Sequence, residues 1–455
     1  MADRDEELAP QAVRAAGGDR HGPERLPAFA AHPARDLVLG EVHARPFHPL
    51  AGPRVFLRYG FVVDEASVER DREWFSGYCR SIGMPGPAAT ERHHLLRLGE
   101  TVLRRERPGE FITYTWDGPL DIAANGETPP DGHPFGARFQ APGPLMVAIR
   151  CDFVPADSDA FERRFERFDQ ASLSVAETDG GAAVIATDFR QDRDGLTRLL
   201  VGDQSLNAVQ AGALTQRLLE LETYRTFAML GLAEANRQAP RVSEIEAGLL
   251  AITERMRASV GLDANRLLLD ELTRLAADLE AGAAASAYRL GASRAYYQIV
   301  KQRLEVLGEH PRGGYFTFTQ FLNRRLAPAM RTCETLDERQ ANLSRKLARA
   351  ATLLRTRVDV ELQEQNRTQL EAINHRARLQ LRLQQTVEGL SVAAISYYVV
   401  GLIAYLVKGM KSGPLATFLP SPEVMAAASV PVVLAAVYLV VRRIRRHHGD
   451  ADGRE

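Results

Sequence analysis

The spacing of apolar positions changes character twice along this 455-residue chain. Up to about residue 204, apolar residues come in the short runs that strands bury. Arg54–Val63, "RVFLRYGFVV", reads as a strand, and Ala66–Ile82 as an amphipathic helix carrying Val68, Trp74, Phe75 and Tyr78. "HHLLRLGE", "TVLRRERP" and "EFITYTW" predict three further strands. Residues 119–144, dense in proline and glycine, predict a loop. Leu145–Phe153 predicts a strand, and Asp157–Asp169 a helix with Phe161, Phe165 and Phe168 on one face. Asp179-Gly180-Gly181 predicts a hairpin turn, and "GLTRLLVG" a last strand.

From Ser205 onward the period becomes helical. Helices are expected near 205–237, 241–259, 264–281 and 285–308, with breaks at Pro240, Gly261, Gly282 and Gly308. Ala329 to Glu388 contains neither proline nor glycine, which predicts one helix. Continued to Val407, it would be ~120 Å long. Leu336, Leu343, Leu347, Ala350, Leu354, Val358 and Leu362 form an apolar stripe along it. The stripe then turns polar at Asn366, Gln369, Gln380 and Gln384, with Ile373 and Val387 between. It describes either a solvated stalk or a bundle opening into a hydrated lumen. A rod this long implies partners.

The third regime is membrane-like. Leu390–Val407 and Val424–Val441 are each eighteen residues without a charge, ~27 Å as helices. Arg376, Arg378 and Arg382 precede the first; Arg442, Arg443, Arg445 and Arg446 follow the second. The loop between carries only Lys408 and Lys411 as cations. The positive-inside rule therefore predicts cytoplasmic termini and an outer loop.

The expected fold is thus an α+β cytosolic head followed by a long stalk helix and two C-terminal transmembrane helices. The expected divisions are a disordered N-terminus (1–30), α/β domain (31–204), helical region (205–325), stalk (326–389), first span (390–407), outer loop (408–423), second span (424–441) and basic tail (442–455). A net charge of -1 gives no basic excess for nucleic acid. Cys79, Cys151 and Cys333 are scattered and form no CxxC pair, as expected of reduced thiols.

Chemistry-bearing motifs are sparse. The chain lacks G-x-x-x-x-G-K-[ST], G-x-G-x-x-G after a strand, G-x-S-x-G and H-E-x-x-H, so no enzyme, cofactor or metal site is expected. The densest polar group is "EVHARPFHPL". Glu41 and His43 have the strand spacing that puts two side chains on one face; with His48 they would suit a metal, while Arg45 suits a carboxylate or phosphate, and the alternative is an extended segment whose polar groups are satisfied structurally. Glu41, His43 and Arg45 are the candidate ligand residues. His93 and His94, adjacent on a strand, face opposite ways. In the first span, Ala394, Gly401 and Lys408 fall on one line, and Ser391, Tyr398 and Tyr405 on another. With Gly409, Met410 and Lys411 these are the candidate pore and outer-mouth residues.

"HPARDLVLGEVHARPFHPL", "RRERPGEFITYTW", "AGALTQRLLELETYRTFAMLGL" and "TVEGLSVAAISYYVVGLIAYLVKGMK" together resemble a family of uncharacterised bacterial membrane-anchored proteins, a domain of unknown function. The resemblance covers about His32 to Lys411. It marks Glu41, His43, Ala44, Arg45 and Pro46, then Glu110, Phe111 and Tyr114, then Glu222, Tyr224 and Arg225, without assigning roles. It implies a membrane-anchored protein of proteobacterial type; the expected location is the bacterial inner membrane, multi-pass. The order of head, stalk, first span, short loop, second span and basic tail is also similar to CorA-type magnesium channels. That resemblance implies a homopentamer with the first span lining the pore. Its Gly-Met-Asn signature stands here as Gly409-Met410-Lys411, and the added lysines would repel Mg²⁺. Two functions are expected: a homo-oligomeric ion channel of CorA-like build, or a membrane-anchored sensor or scaffold without transport.

Overall fold

The computed structural model describes residues 48–89, 91–123, 130–410 and 421–449, with His32, Arg35 and Leu39 ahead of them. The chain divides into two compact units, Met1–Arg241 with Gly282–Gln340, and Val242–Ala281 with Ala341–Glu455. It is an α+β protein with one mixed sheet.

Among the described residues of the first unit the short apolar runs become eight strands, β1 (Arg54–Val62), β2 (His93–Leu98), β3 (Thr101–Glu106), β4 (Phe111–Pro119), β5 (Leu145–Pro155), β6 (Ser174–Thr178), β7 (Ala183–Thr187) and β8 (Thr197–Asp203), and a two-residue strand, β9 (His310–Pro311), joins them. Their order is β2-β3-β4-β1-β5-β8-β7-β6-β9. Among the described strands, only the pair β5 and β8 runs parallel. The central strands are buried on both faces, as the run of buried residues from Phe111 to Gly118 shows.

Helix α1 (Glu65–Ser81), capped by Asp64, packs Val68, Phe75 and Cys79 against Val55, Leu57, Tyr114 and Trp116. Helix α2 (Asp159–Phe165), capped by Ser158, joins a second cluster with Val154, Leu173, Val184 and Leu200. The predicted turn after β6 is present: Asp179, Gly180 and Gly181 all have positive φ, and β6 pairs antiparallel with β7.

The helices depart from expectation where proline and glycine were given the power to break them. Helix α3 (Ala208–Ala228) opens with a capping box, Asn207 with Gln210, and ends at Met229 rather than Pro240. Helix α4 (Leu230–Ala258) runs through Pro240, and α5 (Leu262–Leu307) through Gly282. Proline inside a helix removes one hydrogen bond and need not end it when packing holds both sides. Gly308, with φ of 57°, does end α5, and Gly261, with φ of 98°, lies in the break between α4 and α5, where its carbonyl accepts from Asn265 N. In the first unit, a β-carbon at Gly231 would lie 2.6 Å from Ser293 Oγ and 3.2 Å from Cys333 Sγ, so that glycine lets three helices converge.

Helix α6 (Phe318–Met410) is 93 residues without a break, about 140 Å. It starts eleven residues before Ala329, with Pro328 inside it. Its start is set by reciprocal bonds: Gln320 N donates to Thr317 Oγ1 (3.1 Å) and Thr317 N to Gln320 Oε1 (3.2 Å). Glu309 Oε2 also accepts from Thr319 N at 2.9 Å. Helix α7 (Pro422–Gly449) follows. Both contain 18-residue windows long and apolar enough to cross a membrane, with mean hydropathy 2.0 and 2.5.

Within the second unit, α4 and α5 form a hairpin whose Leu249, Ile252, Leu268, Leu272 and Leu279 are buried, as are Leu343, Leu347, Leu354 and Val358 of α6. The hairpin's tip is tied to α6. Arg357 Nη1 donates to Met256 O (2.6 Å), and Asn265 Nδ2 to Glu361 Oε1 (2.9 Å).

Candidate functional site

The stripe that these contacts bury does not end with them. From Gln369 it continues at Ile373, Arg376, Gln380, Leu383, Val387, Leu390 and Ala394, in steps of four and three. At 3.6 residues per turn these positions stay on the face of Leu343, Leu354 and Val358. No described residue covers them: Leu383 is 71% exposed and Leu390 75%.

The predicted pore positions continue this face. Ser391, Ala394, Tyr398, Tyr405, Lys408 and Gly409 are exposed, and Gly401 is half-buried. Ser391 Oγ donates to Val387 O at 2.9 Å, so its hydroxyl is satisfied by its own helix. The side the chain does cover carries Ser396 and Val407, 4% and 8% exposed, about half a turn from Tyr398 and Tyr405. Met410 ends α6; Lys411 lies outside the described residues.

Glu41, His43 and Arg45 also lie outside the described residues. The tail of their segment is placed, however. Leu50 N donates to Ala208 O at 2.9 Å, and His48 passes so close to α3 that a β-carbon on Gly212 would sit 2.0 Å from His48 O. Only glycine permits that approach. His48 Nδ1 lies 3.5 Å from Arg97 Nη2, and an arginine only donates. Burial, then the Arg104 and Arg97 charges, hold the imidazole below the usual histidine range, so it is neutral near pH 7 with its proton on Nε2. His48 Nε2, Arg104 Nε and Gln216 Oε1 are buried and have no partner among the described residues. All three residues line a cavity of about 20 Å³, beside Asp117, which Arg54 holds at 2.6 Å. Two donors and an acceptor thus surround a space the size of one water.

His93 and His94 do point apart. His93 Nδ1 is 3.9 Å from Glu106, and His94 Nδ1 3.0 Å from Glu91.

The remaining motif residues form joints. Glu110 receives Arg289 in a two-pronged pair, with Nη1 at 2.6 Å and Nη2 at 2.5 Å, and Tyr296 OH at 3.0 Å. Burial, then Glu110, push that tyrosine hydroxyl far above its usual range. Phe111 stacks on Phe227 with centroids 4.0 Å apart and meets Tyr224 edge-on. Tyr114 OH donates to Asp71 Oδ1 at 2.8 Å, and Arg105 Nε to Oδ2 at 2.7 Å. Glu222, buried, takes both prongs of Arg225, whose guanidinium lies over the Phe189 ring. Glu110 and Phe111 thus bind β4 to α5 and α3, Tyr114 binds it to α1, and Glu222 with Arg225 ties α3 to the Phe189 ring. Among the described residues, no group of three or more His, Cys, Asp or Glu is placed to hold a metal ion.

Sequence reasoning missed a polar cleft of about 660 Å³ between the end of α2 and the β7–β8 loop. Its signal was present in "DFRQDRDG", alternating charges before a glycine, which reads on its own as a solvated loop.

No curated protein and no solved structure matches the chain. A family model described as "Protein of unknown function (DUF3422)" matches residues 30–448, and the chain belongs to that family.

Proposed function

We propose that the protein is a homo-oligomeric inner-membrane protein of CorA-like build, with copies of α6 side by side and the first span lining a common axis. The observation that carries this reading is the α6 stripe, buried under the α4–α5 hairpin as far as Val358 and left open from Gln369 to Lys408. A second copy supplies the matching cover. Anchored by the same span, it lies parallel, and four-three spacing meets its own spacing. The lipid bilayer covers the outer faces of the spans.

The charged residues on the open stripe are Arg376 and Lys408, whereas Glu364, Glu371 and Glu388 lie off it. An axis lined this way repels Mg²⁺ and suits anions. A second reading, a membrane-anchored sensor or scaffold without transport, is favoured by the polar cleft among the strands. Both readings need the oligomer. Light scattering in detergent should give a mass several times 50.2 kDa; a monomer sinks both. Vesicle flux then separates them. The channel reading expects chloride to pass, and expects Lys411→Asn to increase divalent entry. An oligomer that passes neither leaves the sensor reading standing.

A further inference from the structure

The cleft lies between Arg167–Asp169 and the loop from Asp188 to Arg198, which joins β7 to β8. Its carboxylates are turned to structural use. Asp188 Oδ1 accepts from Arg190 N, and Oδ2 from Asp169 N, both at 3.0 Å. Asp192 Oδ1 accepts from Asp194 N and Leu196 N, both at 2.9 Å, and Oδ2 from Arg198 Nε at 2.7 Å. Asp169 accepts from Ala171 N, Ser172 Oγ and Arg190 Nη1. Three of the four aspartates therefore build the loop.

Two of the four arginines, Arg190 and Arg193, are used more lightly. A guanidinium carries five N–H donors. Arg190, with a side chain 64% exposed, commits Nη1 to Asp169. Arg193 is exposed and pairs with no described residue. The four arginines of the cleft match its four aspartates in number, so its formal charge balances; what it presents is the N–H donors that Arg190 and Arg193 leave uncommitted, in a volume within the range of small-ligand sites, about 300–1,000 Å³. We propose that it binds an oxyanion ligand of mononucleotide size, held through phosphate or carboxylate oxygens by Arg190 and Arg193.

The loop's root connects this site to α6. Phe189 has φ of 55°, a region that crowds a β-carbon. Its ring holds it there: it stacks on Phe321 at 4.8 Å, meets Phe318 edge-on at 5.3 Å, and lies 5.4 Å from the Arg225 guanidinium. Phe318 is the first residue of α6, the helix that carries the first apolar span. A ligand that draws the loop toward itself therefore acts on the first turn of α6 through Phe189. This goes beyond the oligomer and does not depend on it.

The test is calorimetric titration of the full chain in detergent with ATP, citrate and inorganic phosphate, the first two separating phosphate from carboxylate recognition. At least one of ATP and citrate should bind, and the double variant Arg190→Gln, Arg193→Gln should weaken it at least tenfold with an unchanged melting temperature. Hydrogen exchange at residues 317–324 should slow on binding, and should stop responding in Phe189→Gly. The proposal fails if neither ATP nor citrate binds, or if the double variant binds as the parent does. Binding of inorganic phosphate alone, without the larger probes, also overturns it, because the cleft would then hold an adventitious ion only. Should the double variant melt early, Arg193→Gln alone, at an exposed position, carries the same tenfold criterion.

Discussion

The strands of the first unit and the upper half of α6 treat exposed and buried side chains in opposite ways. Among the strands, charges are taken inside and paired: Arg105 and Asp71 are almost wholly buried, 2.7 Å apart. Along α6 beyond Glu361, apolar side chains are left outside: Ile373, Leu383, Val387 and Leu390 are each more than half exposed. The sheet region is complete within one chain. Under the proposed oligomer the helix takes its cover from a second copy, because a stripe that keeps Ile373, Leu383, Val387 and Leu390 in register over seven steps of four and three stays exposed among the described residues.

The largest effect should come from breaking the open side of this contrast. Val387→Asp puts a charge in the middle of the stripe. We expect the assembly to fall apart, read as a drop in mass by light scattering. The sheet region should melt within about 0.5 kcal/mol of the parent, since an exposed site far from a packed core costs little. An unchanged mass would place Val387 against lipid or solvent and remove the stripe from the interface.

The buried side breaks differently. Arg105→Ala leaves Asp71 with Tyr114 alone as its donor, in a place where burial already pushes that carboxyl above its usual range. Removing one partner of a buried pair costs about 3–5 kcal/mol. Denaturant unfolding should show that loss in the sheet region with the oligomeric mass unaltered. A loss under 1 kcal/mol would mean that the site admits water when the arginine is gone.

The two regions were also unequally legible in sequence. Strands β1 to β8 were readable because burial forces short apolar runs, and the stripe on α6 because helical period leaves a regular trace. Strand β9, two residues long, leaves none; it exists because β6 needs an edge partner at Ala176 and Glu177. Pro240 and Gly282 looked like breaks because local propensity was weighed without the packing that holds those helices straight through. The cleft was hidden for another reason. Whether Asp192 is a ligand or a loop cap depends on where the amides of Asp194 and Leu196 point, and the letters do not carry that. The capping pair Thr317 and Gln320, by contrast, was in plain view as T-x-x-Q, and it marks the true start of α6.

That start offers the smallest and most specific test, at the place where the two kinds of region meet on one helix. Glu309 accepts from Thr319 N at 2.9 Å and so caps α6, but burial outweighs this bond and raises its carboxyl above the ordinary range. A carboxyl raised in the folded state binds its proton more tightly there than in the unfolded chain. Its contribution is therefore fully present below about pH 4.3, the unperturbed glutamate value, and is lost as pH rises through the folded value. Glu309→Gln keeps an oxygen for Thr319 N and removes the charge. Its melting temperature should be flat across that window, where the parent's falls, with a difference no larger than that of a helix cap, about 0.5–2 kcal/mol. A variant that instead loses stability at neutral pH would show that the carboxylate's attraction to the helix N-terminus outweighs its burial. Glu309 would then be a charge that the start of α6 requires, in line with the paired charges of the strands.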